Sequence, residues 1–331
     1  MAEAEATGKH LLIDVTGEQC PPCREMDRTT WRAAEVEAWV AQHAVAVQVD
    51  QTENGVSGLG VMAVPTLVLM KDGREVDRTV GGRGAGALLR WLDGALEGRT
   101  ELDQLRAVEP GDVSGRMKLA RELVHRARFS EALPELQWLW EHAVEVQPSW
   151  VGVRYSFLLH ELSVLVSNDE AAWRVFGRLR DEAEVGQGEA ARDDFLALNE
   201  VLGDPDRTLT WWERVRSRPP PGLERNHQLV SLLEEKGLWA DLGALITQPL
   251  VELRHEHQLT RESLEAPPDV PQESLEQLKQ FIQESFRERA VALWRAMRAA
   301  GREPEAVAVA AEARRLDASD EMEEALSGAG A

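Results

Sequence analysis

Every stretch of this sequence that reads as a β-strand lies before Gly98. Leu11-Leu12-Ile13-Asp14-Val15 is a short apolar run, the pattern of a buried strand. Ala44 to Asp50 is a second such run, and Thr66-Leu67-Val68-Leu69-Met70 a third. Lys71-Asp72-Gly73-Arg74 predicts a hairpin, because Asp-Gly accepts the positive φ angles of a tight turn. Glu75 to Val80 is then the returning strand, ended by Gly81-Gly82. A helical stretch from about Cys20 to Gln42, bent near Thr29-Thr30-Trp31, joins the first two strands, and Ala85 to Leu96 closes the segment as a helix.

Beyond Gly98 the pattern is helical throughout. Leu119, Ala120, Leu123, Val124 and Ala127 share one helical face, as do Ala132, Leu133, Leu136, Leu139, Trp140 and Ala143. Breaks recur at Gln147-Pro148, Gly203-Asp204-Pro205, Arg218 to Gly222 and Gly301, and Ala266 to Pro271 is the longest expected loop. This predicts antiparallel helix pairs. Arg128-Phe129-Ser130-Glu131-Ala132-Leu133 with Ala143, and Gly301 to Val307 with Ala313 and Leu316, resemble the second half of a tetratricopeptide repeat. Gly237-Leu238-Trp239-Ala240 is a weaker match. The expected architecture is an α/β domain over residues 1–98 and an all-α, tetratricopeptide-like helical-repeat domain over 99–331.

Charge and cysteine usage narrow the function. Net charge is −21; residues 1–98 carry 15 acidic and 9 basic side chains, so both parts are acidic. Such a surface repels phosphate backbones, which argues against nucleic acid as a partner. No run approaches the ~20 apolar residues that span a bilayer, so no membrane partner is expected. Met1 to Lys9 lacks the basic start and apolar run of a signal peptide. The only two cysteines are Cys20 and Cys23, which leaves no disulfide framework and predicts a reducing, cytoplasmic location.

Cys20-Pro21-Pro22-Cys23 follows a predicted strand and opens a predicted helix. Backbone N–H groups at a helix start stabilise a thiolate, the nucleophilic form of cysteine. Cys20 is therefore expected to be the exposed attacking sulfur, with Cys23 one turn on as the resolving one. Proline suits the first helical positions, where its missing N–H would be unpaired anyway. Zinc is a poor alternative, since no second C-x-x-C or nearby His pair exists, and no metal or cofactor is expected. His255 and His257 are two apart on a helix and point in different directions. Eight of the 11 tryptophans lie beyond residue 98 and read chiefly as core, with Trp211 and Trp212 as candidates for a peptide groove.

The segment 10–98 resembles the thioredoxin superfamily. Asp14 lies six residues before Cys20, the offset of that family's buried Asp, which implies a proton acceptor for Cys23. Val64-Pro65-Thr66 resembles the family's cis-proline segment, implying that Pro65 packs opposite the disulfide and that Val64 offers backbone hydrogen bonds to an extended substrate. Gly81 matches the glycine after the last strand. Gln19, Pro21 and Pro22 complete the expected substrate-facing set. The sequence departs from the family at Gln19 and Thr16, where Trp is usual, at Ala46, where a lysine often pairs with the buried Asp, and at Pro21-Pro22, where Gly-Pro is usual. The resemblance implies a thiol–disulfide oxidoreductase that acts on protein clients bearing disulfides or thiols and is recharged by an electron-donating reductase, with helical repeats that bind the client or a partner. The domain order also resembles the chaperedoxins, which implies the alternative: a holdase docking to a chaperone or other assembly, or an interaction scaffold, with redox chemistry secondary or absent.

Overall fold

The computed structural model describes residues 2–52, 57–265 and 272–328. The predicted loop Ala266 to Pro271 lies outside the described residues. Two compact units are present, Met1–Glu182 and Ala183–Ala331. The change of pattern at Gly98 falls inside the first.

The first unit is built on a four-stranded sheet of order β2-β1-β3-β4, with β1 at His10–Thr16, β2 at Ala44–Asp50, β3 at Thr66–Lys71 and β4 at Arg74–Val80. β1 runs parallel to β2, as a helical crossover requires, and antiparallel to β3. The β3–β4 hairpin turns at Asp72 and Gly73, with φ of 50° and 75°, the two positive values the sequence predicts. β3 is central, and its first four residues are buried. β2 is an edge strand, so of its apolar run only Ala44 is buried, while Ala46 and Val47 face solvent.

Short helix α1 (Ala2–Thr7) precedes β1. α2 (Pro21–Glu25) continues as a wider helical turn over Met26–Thr30, breaks near the predicted Trp31, and resumes as α3 (Ala34–His43). α4 (Ala85–Leu96) buries Leu88, Trp91, Leu92 and Ala95, one face at helical spacing. These residues join Leu12, Met26, Val36, Trp39, Leu67 and Leu69 in one core. Each large apolar side chain so buried contributes about 1.5–3 kcal/mol.

After Val80 the described residues contain no strand. The first unit adds α5 (Glu101–Arg106), α6 (Val113–His125), α7 (Phe129–Val146), α8 (Val151–Arg154), α9 (Phe157–Asn168) and most of α10 (Glu170–Val185). The second holds α11 (Gly188–Val201), α12 (Pro205–Val215), α13 (His227–Glu235), α14 (Trp239–Leu245), α15 (Pro249–Glu265), α16 (Gln272–Ala299), α17 (Glu303–Leu316) and α18 (Asp320–Gly328). Four pairs, α6–α7, α11–α12, α13–α14 and α16–α17, are joined by the same three-residue turn. In each, one residue takes positive φ: Ala127, Gly203, Gly237 and Gly301. Its N–H donates to the carbonyl three residues back, and the next N–H donates to the carbonyl five back, as in Arg128 to Leu123 and Arg302 to Met297. These two hydrogen bonds satisfy carbonyls that the helix end leaves open. Ala127 therefore lies past the end of α6, not on its apolar face as the spacing suggests.

The α6–α7 turn is tied to the sheet. Asp77 of β4 and Arg126 are both buried, at 1% and 5% side-chain exposure, and form an ion pair. Asp77 also accepts from Trp91 Nε1 at 2.9 Å and from the Arg78 N–H at 2.9 Å, and Arg126 Nε donates to Glu122 at 2.7 Å. Removing one partner of such a pair leaves an uncompensated buried charge. Arg126→Ala is expected to lower protection of the β4 amides by about 3–5 kcal/mol in hydrogen exchange. Arg28→Ala, which removes a surface pair with Glu25, is expected to cost no more than about 1 kcal/mol.

Candidate active site

Strand pairing brings the predicted residues to one end of the sheet. Because β1 and β3 are antiparallel with Val15 opposite Thr66, the exit of β1 toward Cys20 and the entry of β3 at Pro65 lie side by side. Thr66 also faces Val80, so the exit of β4 at Gly81 joins them. The Gly81 N–H donates to the Pro65 carbonyl at 2.8 Å, and the Val64–Pro65 bond is cis. Two glycines permit the close approach of these segments. A Cβ on Gly17 would lie 3.3 Å from Val64 Cγ2, and one on Gly82 would lie 3.0 Å from Pro22 Cβ.

Cys20 and Cys23 are joined as a disulfide, with Cα atoms 5.3 Å apart. Cys20 is the N-cap of α2, its backbone extended at φ −119°, and Pro21 and Pro22 take the first helical positions. The Cys23 N–H donates to Cys20 Sγ at 3.2 Å, the contact expected to favour negative charge on that sulfur. Cys20 is 3% exposed and Cys23 4%, so the open Cys20 sulfur expected from the sequence is not seen. The reason is local: Sγ of Cys20 turns inward both to bond Cys23 and to cap its N–H. Gln19, Pro21 and Pro22 are exposed around the pair, and Pro65 is buried.

Asp14 is 6% exposed. Its Oδ2 accepts from Gln48 Nε2 at 3.0 Å, and the same amide donates to Asp27 Oδ1 at 3.0 Å. Oδ1 of Asp14 and Nε1 of Trp31 are each buried without a hydrogen-bond partner among the described residues. Burial pushes the Asp14 carboxyl above its ordinary value of 3.8; the Gln48 amide opposes the shift and the Asp27 charge adds to it. Sequence reading missed Gln48 and Asp27. The parallel register sets Asp14 opposite Gln48, two residues beyond Ala46, and only strand alternation along β2 hinted at it. Of the two tryptophans proposed for a groove, Trp212 is core at 2% exposure, and Trp211 lies against Phe195 on the wall of a cavity of about 410 Å³. His257 tilts against Phe286 with centroids 5.3 Å apart, and His255 is exposed.

A C-x-x-C disulfide capping a helix at the end of an α/β sheet, beside a proline–glycine backbone contact, defines a thiol–disulfide oxidoreductase. A family profile described as a thioredoxin-like domain matches residues 1–96. A thioredoxin of Chlamydia caviae is 37% identical over 89 residues, 27% of this chain and 83% of that protein. One of Mycolicibacterium smegmatis is 34% identical over 91 residues, 27% of this chain and 81% of that protein. A solved thioredoxin from Thermus thermophilus is 22% identical, covering 33% of this chain and 90% of the other, with a TM-score of 0.28. The chain belongs to the thioredoxin family through this N-terminal domain, which is followed by a large all-helical region, and it is a thioredoxin-like disulfide oxidoreductase.

The raised Asp14 carboxyl fixes the sign of a pH effect. Between its ordinary and its raised pKa the folded state keeps a proton that the unfolded state releases, so stability falls as pH rises through that window. Asp14→Asn is expected to be more stable than wild type at neutral pH. The gain should fade as pH falls from the raised pKa toward the ordinary one and be absent below it, as read from urea midpoints of the oxidised protein.

Proposed function

We propose that the chain reduces protein disulfides in the cytoplasm, with residues 1–98 as the redox domain and residues 99–331 holding the client or a partner. The observation that carries the reading is the helix-capping Cys20–Cys23 pair within the Asp14, Pro65 and Gly81 frame. In the reduced protein the Cys20 thiolate attacks one sulfur of a client disulfide, forms a mixed disulfide and releases the other client sulfur as a thiolate that takes a proton. Asp14 then accepts the proton of Cys23. The Cys23 thiolate attacks Cys20, the second client sulfur leaves and is protonated, and the Cys20–Cys23 disulfide remains. An electron-donating reductase returns two electrons and two protons to it. Val64 presents its backbone to an extended client, Pro65 packs opposite the disulfide, Gly81 keeps that face open, and the exposed Gln19, Pro21 and Pro22 form the rim.

Full-length protein with dithiothreitol is expected to accelerate insulin disulfide reduction, and Cys20→Ser to return the rate to background. Asp14→Asn should slow turnover by about a hundredfold and accumulate the mixed disulfide on Cys20. No acceleration by wild type would refute the reading.

One observation favours the chaperedoxin-like alternative, a holdase that docks to a chaperone or other assembly. The long helices α15 and α16 leave Leu259 and Phe281 exposed at 43% and 65%, apolar surface of the kind that binds partners. On that reading the Cys20→Ser, Cys23→Ser protein still suppresses aggregation of a heated client in light scattering. Loss of suppression in that variant removes the alternative.

A further inference from the structure

Gln48 stands between two carboxylates. Its side-chain nitrogen donates to Asp14 Oδ2 and to Asp27 Oδ1, each at 3.0 Å. A primary amide carries two N–H groups, so both are used. The two accepting oxygens are therefore no more than about 6 Å apart, the range in which one charge raises the pKa of a like neighbour. Each member comes from a different element. The parallel register of β1 and β2 sets Gln48 opposite Asp14, and Asp27 enters from the helical turn Met26–Thr30 that continues α2.

The charges around the pair leave Asp27 to act on Asp14. On the turn that carries Asp27 the arginines are engaged elsewhere: Arg24 donates to the Glu18 carbonyl, Arg28 pairs with Glu25, and Arg32 Nε donates to the Asp27 backbone carbonyl at 3.1 Å. On β3 the residue opposite Asp14 is Leu67, and on β2 the carboxylate beyond Gln48, Asp50, accepts from Thr52. The charge that bears on Asp14 is that of Asp27, and it favours the neutral, protonated form. Gln48 occupies Oδ2 of Asp14. Oδ1 is buried without a hydrogen bond among the described residues, which makes it the oxygen open to a proton.

We propose that Gln48 and Asp27 are positioning residues for the exchange reaction: the amide clamps Asp14 by Oδ2, and the Asp27 charge helps Oδ1 take the proton of Cys23. The inference rests on the oxidoreductase reading above and names the two side chains that support its proton acceptor. In this step the S–H bond of Cys23 breaks, its electron pair stays on sulfur as the attacking thiolate, and an O–H bond forms at Asp14. Attack on Cys20 then makes the disulfide and expels the client sulfur, and the proton passes to that sulfur and restores the Asp14 carboxylate. A neighbouring negative charge brings the carboxylate closer in proton affinity to the thiol, which is what a general base for a thiol requires.

The test reads Asp14 directly, by carbon NMR of carboxyl-labelled aspartate in the oxidised full-length protein, where neither cysteine titrates. Loss of its signal in Asp14→Asn identifies it. Gln48 and Asp27 are both exposed, so their variants are expected to fold, as urea midpoints check. Asp27→Asn is expected to lower the Asp14 midpoint by about half to one pH unit. In a Gln48→Ala background, where the clamp is gone, the same substitution should move it by less than half as much. The reaction is read by rapid-quench resolution of the mixed disulfide on Cys20 with a disulfide-bonded peptide. Its acid limb against pH should shift downward in Asp27→Asn by the amount seen in the titration, a change that a purely structural role would not produce. An unmoved Asp14 midpoint in Asp27→Asn overturns the inference, and so does an equal drop with and without Gln48. A moved midpoint with an unmoved acid limb also overturns it and leaves the oxidoreductase reading standing. Failure of the wild type to reduce the peptide overturns that reading, and the titrations then decide the clamp alone.

Discussion

The antiparallel pairing of β1 with β3 is the constraint on which the site depends. With Val15 opposite Thr66, three chain segments meet at one sheet end: the loop to Cys20, the Val64–Pro65 peptide and Gly81. A register slip of one residue would send Asp14 and Leu12 to the opposite face and remove the buried carboxyl from the reactive end. The observed alignment buries Leu12, Leu67 and Leu69 together in one core.

Two buried carboxylates on this sheet are treated in opposite ways. Asp77 receives Arg126, the Trp91 indole and the Arg78 N–H, three donors that fasten the first helix pair to β4. Asp14 receives one amide on one oxygen, and its other oxygen is left without a hydrogen bond among the described residues. A carboxylate paired with a buried guanidinium is held ionised, whereas a buried carboxyl with fewer donors is held closer to protonation. The fold thus spends its strongest pairing where the chain changes from sheet to helices and leaves the weaker one where a proton has to move.

The helical region shows economy of another kind. Among the described residues one three-residue hydrogen-bonded turn joins four helix pairs, and three of the four carry glycine at the positive-φ position. At the fourth, Ala127 accepts a conformation that disfavours a side chain. It lies next to Arg126, whose ion pair with Asp77 holds the turn against the sheet, and a Cβ on Gly60 would meet its methyl at 3.4 Å. Tertiary contact there outweighs local preference.

What the sequence by itself determined are the features written within a few residues. Asp72-Gly73 specified the hairpin, the apolar runs specified β1 and β3, Cys20-Pro21-Pro22-Cys23 specified a capped helix with its sulfurs one turn apart, and Gly203 and Gly301 marked helix ends. Turn chemistry and periodicity act over that range. The tertiary structure alone decided that Gln48 reaches Asp14 and Asp27, that the Cys20 sulfur turns inward, that β2 is an exposed edge and that Ala127 leaves its helix. Each of these depends on which distant segment lies alongside. Sheet order and packing across tens of residues set that, and side-chain identity read along the chain carries no measure of it.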